Sequence, residues 1–106
     1  MRFFVSAAVL AFTALPALSK TANCELVADG QTWIDGPCEF TALKSGEGSF
    51  MITGGNGYFA YVNINDGEAR GDWNGPDKED RAHWLLGMLT RDGACWVNET
   101  ARVCAK

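Results

Sequence analysis

From residue 24 onward, apolar and polar positions alternate in short runs separated by turn residues. Phe50/Ile52 and Tyr58/Ala60/Val62/Ile64 follow a period of two, the spacing that puts successive side chains on opposite faces of a strand. Asp-Gly stands at 29–30, 35–36, 66–67 and 92–93. This pair favours hairpin turns, because Gly tolerates positive φ and Asp can bond its own backbone. Gly54-Gly55-Asn56-Gly57 predicts a fifth turn and the stretch from Ser45 to Gly48 a sixth. The strands expected between them cover Cys24–Ala28, Thr32–Ile34, Glu39–Leu43, Ser49–Thr53, Tyr58–Ile64, Glu68–Trp73, Trp84–Thr90, Cys95–Val97 and Arg102–Ala105. So many short strands at regular spacing predict an all-β fold, a small antiparallel barrel or sandwich.

One segment dissents. From Asp77 to Leu89, acids come first and Trp84, Leu85, Met88 and Leu89 follow at helical spacing. Gly87 and Thr90 weaken a helix there, and a strand over 84–90 suits the turn at Asp92-Gly93 better.

The N-terminus follows a different pattern. Arg2 precedes a nearly unbroken apolar run from Phe3 to Leu15, then Pro16 and the small-residue stretch Ala17-Leu18-Ser19. The run is too short for a membrane span and has the form of a secretory signal peptide cut before Lys20. Residues 1–19 are thus expected to be a signal peptide and 20–106 a single β-rich domain, periplasmic or secreted. No later stretch is long and apolar enough to span a membrane. Lys20 and Asn23, just ahead of Cys24, do not fit a lipidation site.

Export changes the meaning of the cysteines. Cys24, Cys38, Cys95 and Cys104 all follow the expected cut, and an even count in a small exported domain reads as two disulfides. Four cysteines allow three connectivities. Spacing favours 24–38, flanking a hairpin centred near Gln31, and 95–104, which fall opposite each other if residues 98–101 turn. Each such loop should contribute about 2–3 kcal/mol. Zinc would need closer cysteine pairs, so no metal or other cofactor is expected.

The chain of 106 residues carries nine basic and thirteen acidic side chains, a formal net charge of −4. That balance argues against nucleic acid as a partner, because neutralising phosphates requires surplus Lys and Arg. Catalytic chemistry is sparse. His83 is the single histidine, no Gly-x-Ser-x-Gly elbow is present, and the cysteines are committed to disulfides. No enzymatic activity is expected, a small hydrolase built on His83 being the third-ranked reading. Asp72, Asn74, Asp77, Glu79 and Asp80 crowd one segment but depart from the EF-hand pattern, and Lys78 and Arg81 stand among them. A solvated charged loop is the simpler expectation.

Aromatic residues are the more informative excess. Trp33, Trp73, Trp84 and Trp96 accompany Tyr58, Phe59 and Tyr61. Period two places Phe59 and Tyr61 opposite Tyr58, Ala60, Val62 and Ile64, so both faces of that strand are apolar or aromatic. It is either a central strand buried on both sides or a strand with an aromatic face that binds a partner. On the second reading Tyr58, Phe59 and Tyr61 are candidate binding residues.

DGACWVNETARVCA at 92–105, with DGPCEF at 35–40 and GYFAYVN at 57–63, resembles small exported bacterial proteins to which no catalytic residues are assigned. In size, compartment, cysteine use and β-rich pattern the chain is also loosely similar to periplasmic inhibitors of c-type lysozyme. That resemblance implies a small β-barrel that inserts a Ser-Gly loop into the lysozyme cleft, where polar groups meet the catalytic acids. Ser45-Gly46 is the matching stretch, with Glu47, Gly48 and Ser49 where the family has a Tyr. The expected function is an exported non-enzymatic binding module with a protein partner, lysozyme being the concrete case. The alternative is an envelope accessory protein that docks through an aromatic face.

Overall fold

The computed structural model describes residues 19–44, 47–79 and 81–106. Eight strands follow one another: β1 Ser19–Ala28, β2 Gln31–Ala42, β3 Phe50–Gly54, β4 Phe59–Asn65, β5 Glu68–Trp73, β6 Trp84–Asp92, β7 Cys95–Val97 and β8 Ala101–Ala105. Each pairs antiparallel with the next, and β8 returns to β1, closing the barrel. Closure gives every strand a partner on both sides. Among the described residues no helix is long and apolar enough to cross a membrane.

Local chemistry makes the tight turns. Asp29-Gly30 and Asp66-Gly67 both have two positive φ values, 53° and 79° in one, 52° and 80° in the other, the conformation of a two-residue type I′ hairpin. The side chains of Leu26, Ile52, Val62 and Val103 are fully buried within the barrel. The buried Ser49 hydroxyl is also satisfied: it accepts a hydrogen bond from the Ile64 amide at 2.7 Å and donates to the Ile64 carbonyl at 3.4 Å.

One expectation is corrected. Asp35-Gly36 does not turn, so the two strands expected on either side of it are one, and nine segments become eight strands. Glu25 pairs with Asp35 and Cys24 with Gly36, so the ladder with β1 runs straight through. Gly36 accommodates this with a φ of 143°, open to glycine and strained for other residues. Ten ladder pairs with β1, joined by five with β3 over Cys38–Ala42, outweigh a local turn preference.

The strand expected over 84–90 is present, and the structure explains the helical spacing within it. This segment is β6, and its ladder with β5 slips between Gly71 and Asp72: Gly71 faces Gly87, but Asp72 faces Leu85. Leu86 is the extra residue of a β-bulge. The bulge resets the alternation, so Leu86 and Leu89, three apart, both point inward, whereas Leu85 and Met88 both point out. A bulged strand thus imitates a helical period. Gly71 is required beneath it, since a Cβ there would sit 2.8 Å from Leu89 Cδ1 and 3.1 Å from Leu86 Cβ.

Both disulfides have the connectivity that spacing favours, Cys24–Cys38 and Cys95–Cys104. Cys24 and Cys38 belong to the interior cluster. Cys95 and Cys104 face each other directly in the β7–β8 ladder. Two such bonds fit an oxidising compartment outside the cytoplasm.

Candidate functional site

The two ends of the barrel are built differently. At the end carrying the β1–β2, β3–β4, β5–β6 and β7–β8 connections, aromatic rings fill the opening. Trp33, on β2, lies 5.1 Å from Trp73 and 5.4 Å from Tyr58, and Trp84 lies 6.3 Å from Trp73, all centroid to centroid. Two polar edges have partners: Tyr58 Oη donates to the Pro76 carbonyl at 2.8 Å and Trp33 Nε1 to the Ala28 carbonyl at 3.2 Å. Lys78 Nζ stands 4.7 Å from the Tyr58 centroid and donates to the Asn56 carbonyl at 2.6 Å. Beneath the rings the buried Asn74 accepts from the Phe59 amide at 3.0 Å and donates to the Gly57 carbonyl at 3.1 Å. Asn74, one of the residues of the crowded acidic segment, thus fastens the β3–β4 turn.

Among the described residues the opposite end is open. A cavity of about 520 Å³ lies at its mouth, within the size range of small-molecule sites. Phe40, Phe50, Ile64 and Trp96 form its apolar lining, with Lys20, Arg91 and Lys106 around them and Glu47 as the single carboxylate side chain. Phe40 and Phe50 stack at 5.1 Å. Lys20 Nζ lies 5.7 Å from the Phe40 centroid and Arg91 Cζ 5.4 Å from that of Trp96.

The predicted binding residues divide among three places. Ser45 and Gly46 lie outside the described residues. Tyr58 faces the aromatic plug, whereas Phe59 and Tyr61 stand half-buried on the outer face of β4, their rings 5.9 Å apart and nearly perpendicular. The register extends that outer face: Tyr61 lies beside Met51 on one side and beside Asp72 then Leu85 on the other, and Asn63 beside Arg70 then Met88. Leu85 and Met88 are 68% and 53% exposed. Phe59, Tyr61, Leu85 and Met88 therefore share one outward surface with Arg70 and Asp72 between them.

His83 is exposed in the loop ahead of β6. All four cysteines are bonded, so no thiol is available as a nucleophile. Among the described residues no group of three His, Cys, Asp or Glu side chains is placed to hold a metal ion.

Sequence reasoning missed the cationic mouth. A signal was present: counting back by twos from Cys24 and Ala22 puts Lys20 on the inward phase of β1, and counting on from Leu89 puts Arg91 on the inward phase of β6. A cation on the core phase at the last position of a strand marks a barrel rim. No family model, curated protein or solved structure matches the chain, so the site is read from its own geometry.

Proposed function

We propose that the protein is an exported, non-enzymatic binding module that docks on another protein through the outer face of β4, β5 and β6. One observation carries this reading: Leu85 and Met88 are exposed on the same surface as the half-buried Phe59 and Tyr61. Exposed apolar and aromatic side chains are common at interfaces, and here those of β4 and β6 flank Arg70 and Asp72 on β5, which supply polar groups to orient a partner. The occupant is a second folded exported protein presenting its own apolar patch. The signal-like N-terminus and two disulfides support the periplasm or the extracellular space as the meeting place. Site-specific cross-linking from position 85 in the exported compartment tests this, with Phe59→Ala/Tyr61→Ala and Met88→Ser beside it. A defined cross-linked heterodimer that both variants diminish is the expected result. Equal yields from all forms, or cross-links only between copies of this chain, would overturn it.

A second reading, inhibition of c-type lysozyme, is supported by the closed small barrel that the family resemblance implies, and by an acid surplus that would steer the protein towards a basic enzyme. Lysozyme assayed with micromolar protein should slow, and less so with Ser45→Ala. An unchanged rate ends that reading.

A further inference from the structure

The open mouth has a chemistry unlike the rest of the molecule. Acidic side chains outnumber basic ones thirteen to nine along the chain, yet this cavity gathers three cationic side chains and one carboxylate side chain. Even that carboxylate is engaged, since Glu47 Oε1 accepts the Asp66 amide at 2.8 Å. Among the described residues the ion pair is Arg102–Glu25, which involves none of the three cations. Arg91 Nε donates to the Gly93 carbonyl at 2.7 Å, which fixes the guanidinium and leaves its two Nη groups for a bidentate acceptor. Below the cations the surface is apolar, with Phe40, Phe50, Ile64 and Trp96 reaching down to the packed core.

We propose that this cavity binds a small amphiphilic carboxylate, its apolar body against Phe40, Phe50, Ile64 and Trp96 and its anionic head held by Lys20, Arg91 and Lys106. The aromatic rings under Lys20 and Arg91 position both cations at the rim and remain beneath them as apolar contact for the ligand. Neither half of the site suffices alone. A bare anion would leave the apolar lining wet, and an uncharged body would leave the three cations without a counter-charge. The site is separate from the outer surface around Leu85 and Met88, so either can fail without the other.

The test titrates the disulfide-intact protein with decanoate, decan-1-ol and acetate by calorimetry, with amide and indole shifts followed by NMR. Decanoate should bind at least about tenfold more tightly than either control. Its shifts should concentrate on Lys20, Gly48, Arg91, Ala94 and the Trp96 indole, leaving Leu85 and Met88 unmoved. Lys20→Gln/Arg91→Gln alters two exposed side chains and should retain a native spectrum, while decanoate affinity falls about tenfold or more. Vesicles containing phosphatidylglycerol separate a free acid from a bilayer-held head group. Absence of decanoate binding at about 1 mM, parity with decanol, an unaffected double variant, or binding to vesicles alone would each overturn the proposal.

Discussion

One end of this barrel is sealed by packing and the other is left open. At the sealed end Trp33, Tyr58 and Trp73 pack against one another, with the more exposed Trp84 at the edge of Trp73, and Asn74 satisfies backbone groups of the adjoining turn. At the open end the interior phase finishes in Lys20 and Arg91, whose charges favour water. Cys95–Cys104 joins the shortest strand, β7, to β8 beside that open end, where less apolar surface is available to hold it. Stability is therefore concentrated in the plug and the waist, and the mouth is free to carry ligand chemistry. Such a division would suit the binding proposed for this small domain.

Substitutions should expose this asymmetry in graded steps. Trp73→Ala removes the ring that touches Trp33, Tyr58 and Trp84, and should cost about 3–5 kcal/mol in denaturant unfolding. A loss below about 1 kcal/mol would show that the plug is not what closes that end. Replacing Cys95 and Cys104 together by Ala opens a short loop and should cost about 2–3 kcal/mol, measured the same way against the protein under oxidising conditions. Asn74→Ala strands the Phe59 amide and the Gly57 carbonyl, and a loss of about 1–3 kcal/mol should accompany faster hydrogen exchange at Phe59. Smallest of all, Lys20→Gln/Arg91→Gln should leave stability within about 0.5 kcal/mol, since both side chains are exposed at the mouth. A larger loss there would mean that the rim cations support the fold.

Much of the barrel was legible because its signals are local. Asp29-Gly30 and Asp66-Gly67 encode their own turns through the φ values their residues tolerate. Cys95 and Cys104 could be paired by counting outward from a short turn. The alternation in Tyr58–Ile64 correctly separates Ala60, Val62 and Ile64 from Phe59 and Tyr61. Asp35-Gly36 has the same two residues as the turns and none of the same fate, because β1 supplies ladder partners straight through it and β3 adds more from Cys38 onward. The bulge at Leu86 was hidden for a related reason: an extra residue shows itself only against the partner strand it fails to match. The candidate sites were less legible still. Leu85 and Met88 enter the surface of Phe59 and Tyr61 only through β5, and Lys20 meets Arg91 only across the mouth of the closed barrel.

By itself the chain determined that it would be all-β, where most of its hairpins turn and which cysteines were best placed to join. These depend on backbone preferences and on spacings of a few residues, which any stretch carries with it. Tertiary structure alone decided that the strands close into a barrel, that one mouth fills with tryptophan and that the other collects cations. Those outcomes bring together residues as distant in sequence as Lys20 and Arg91, and the free energy that selects them arises only when β8 pairs with β1.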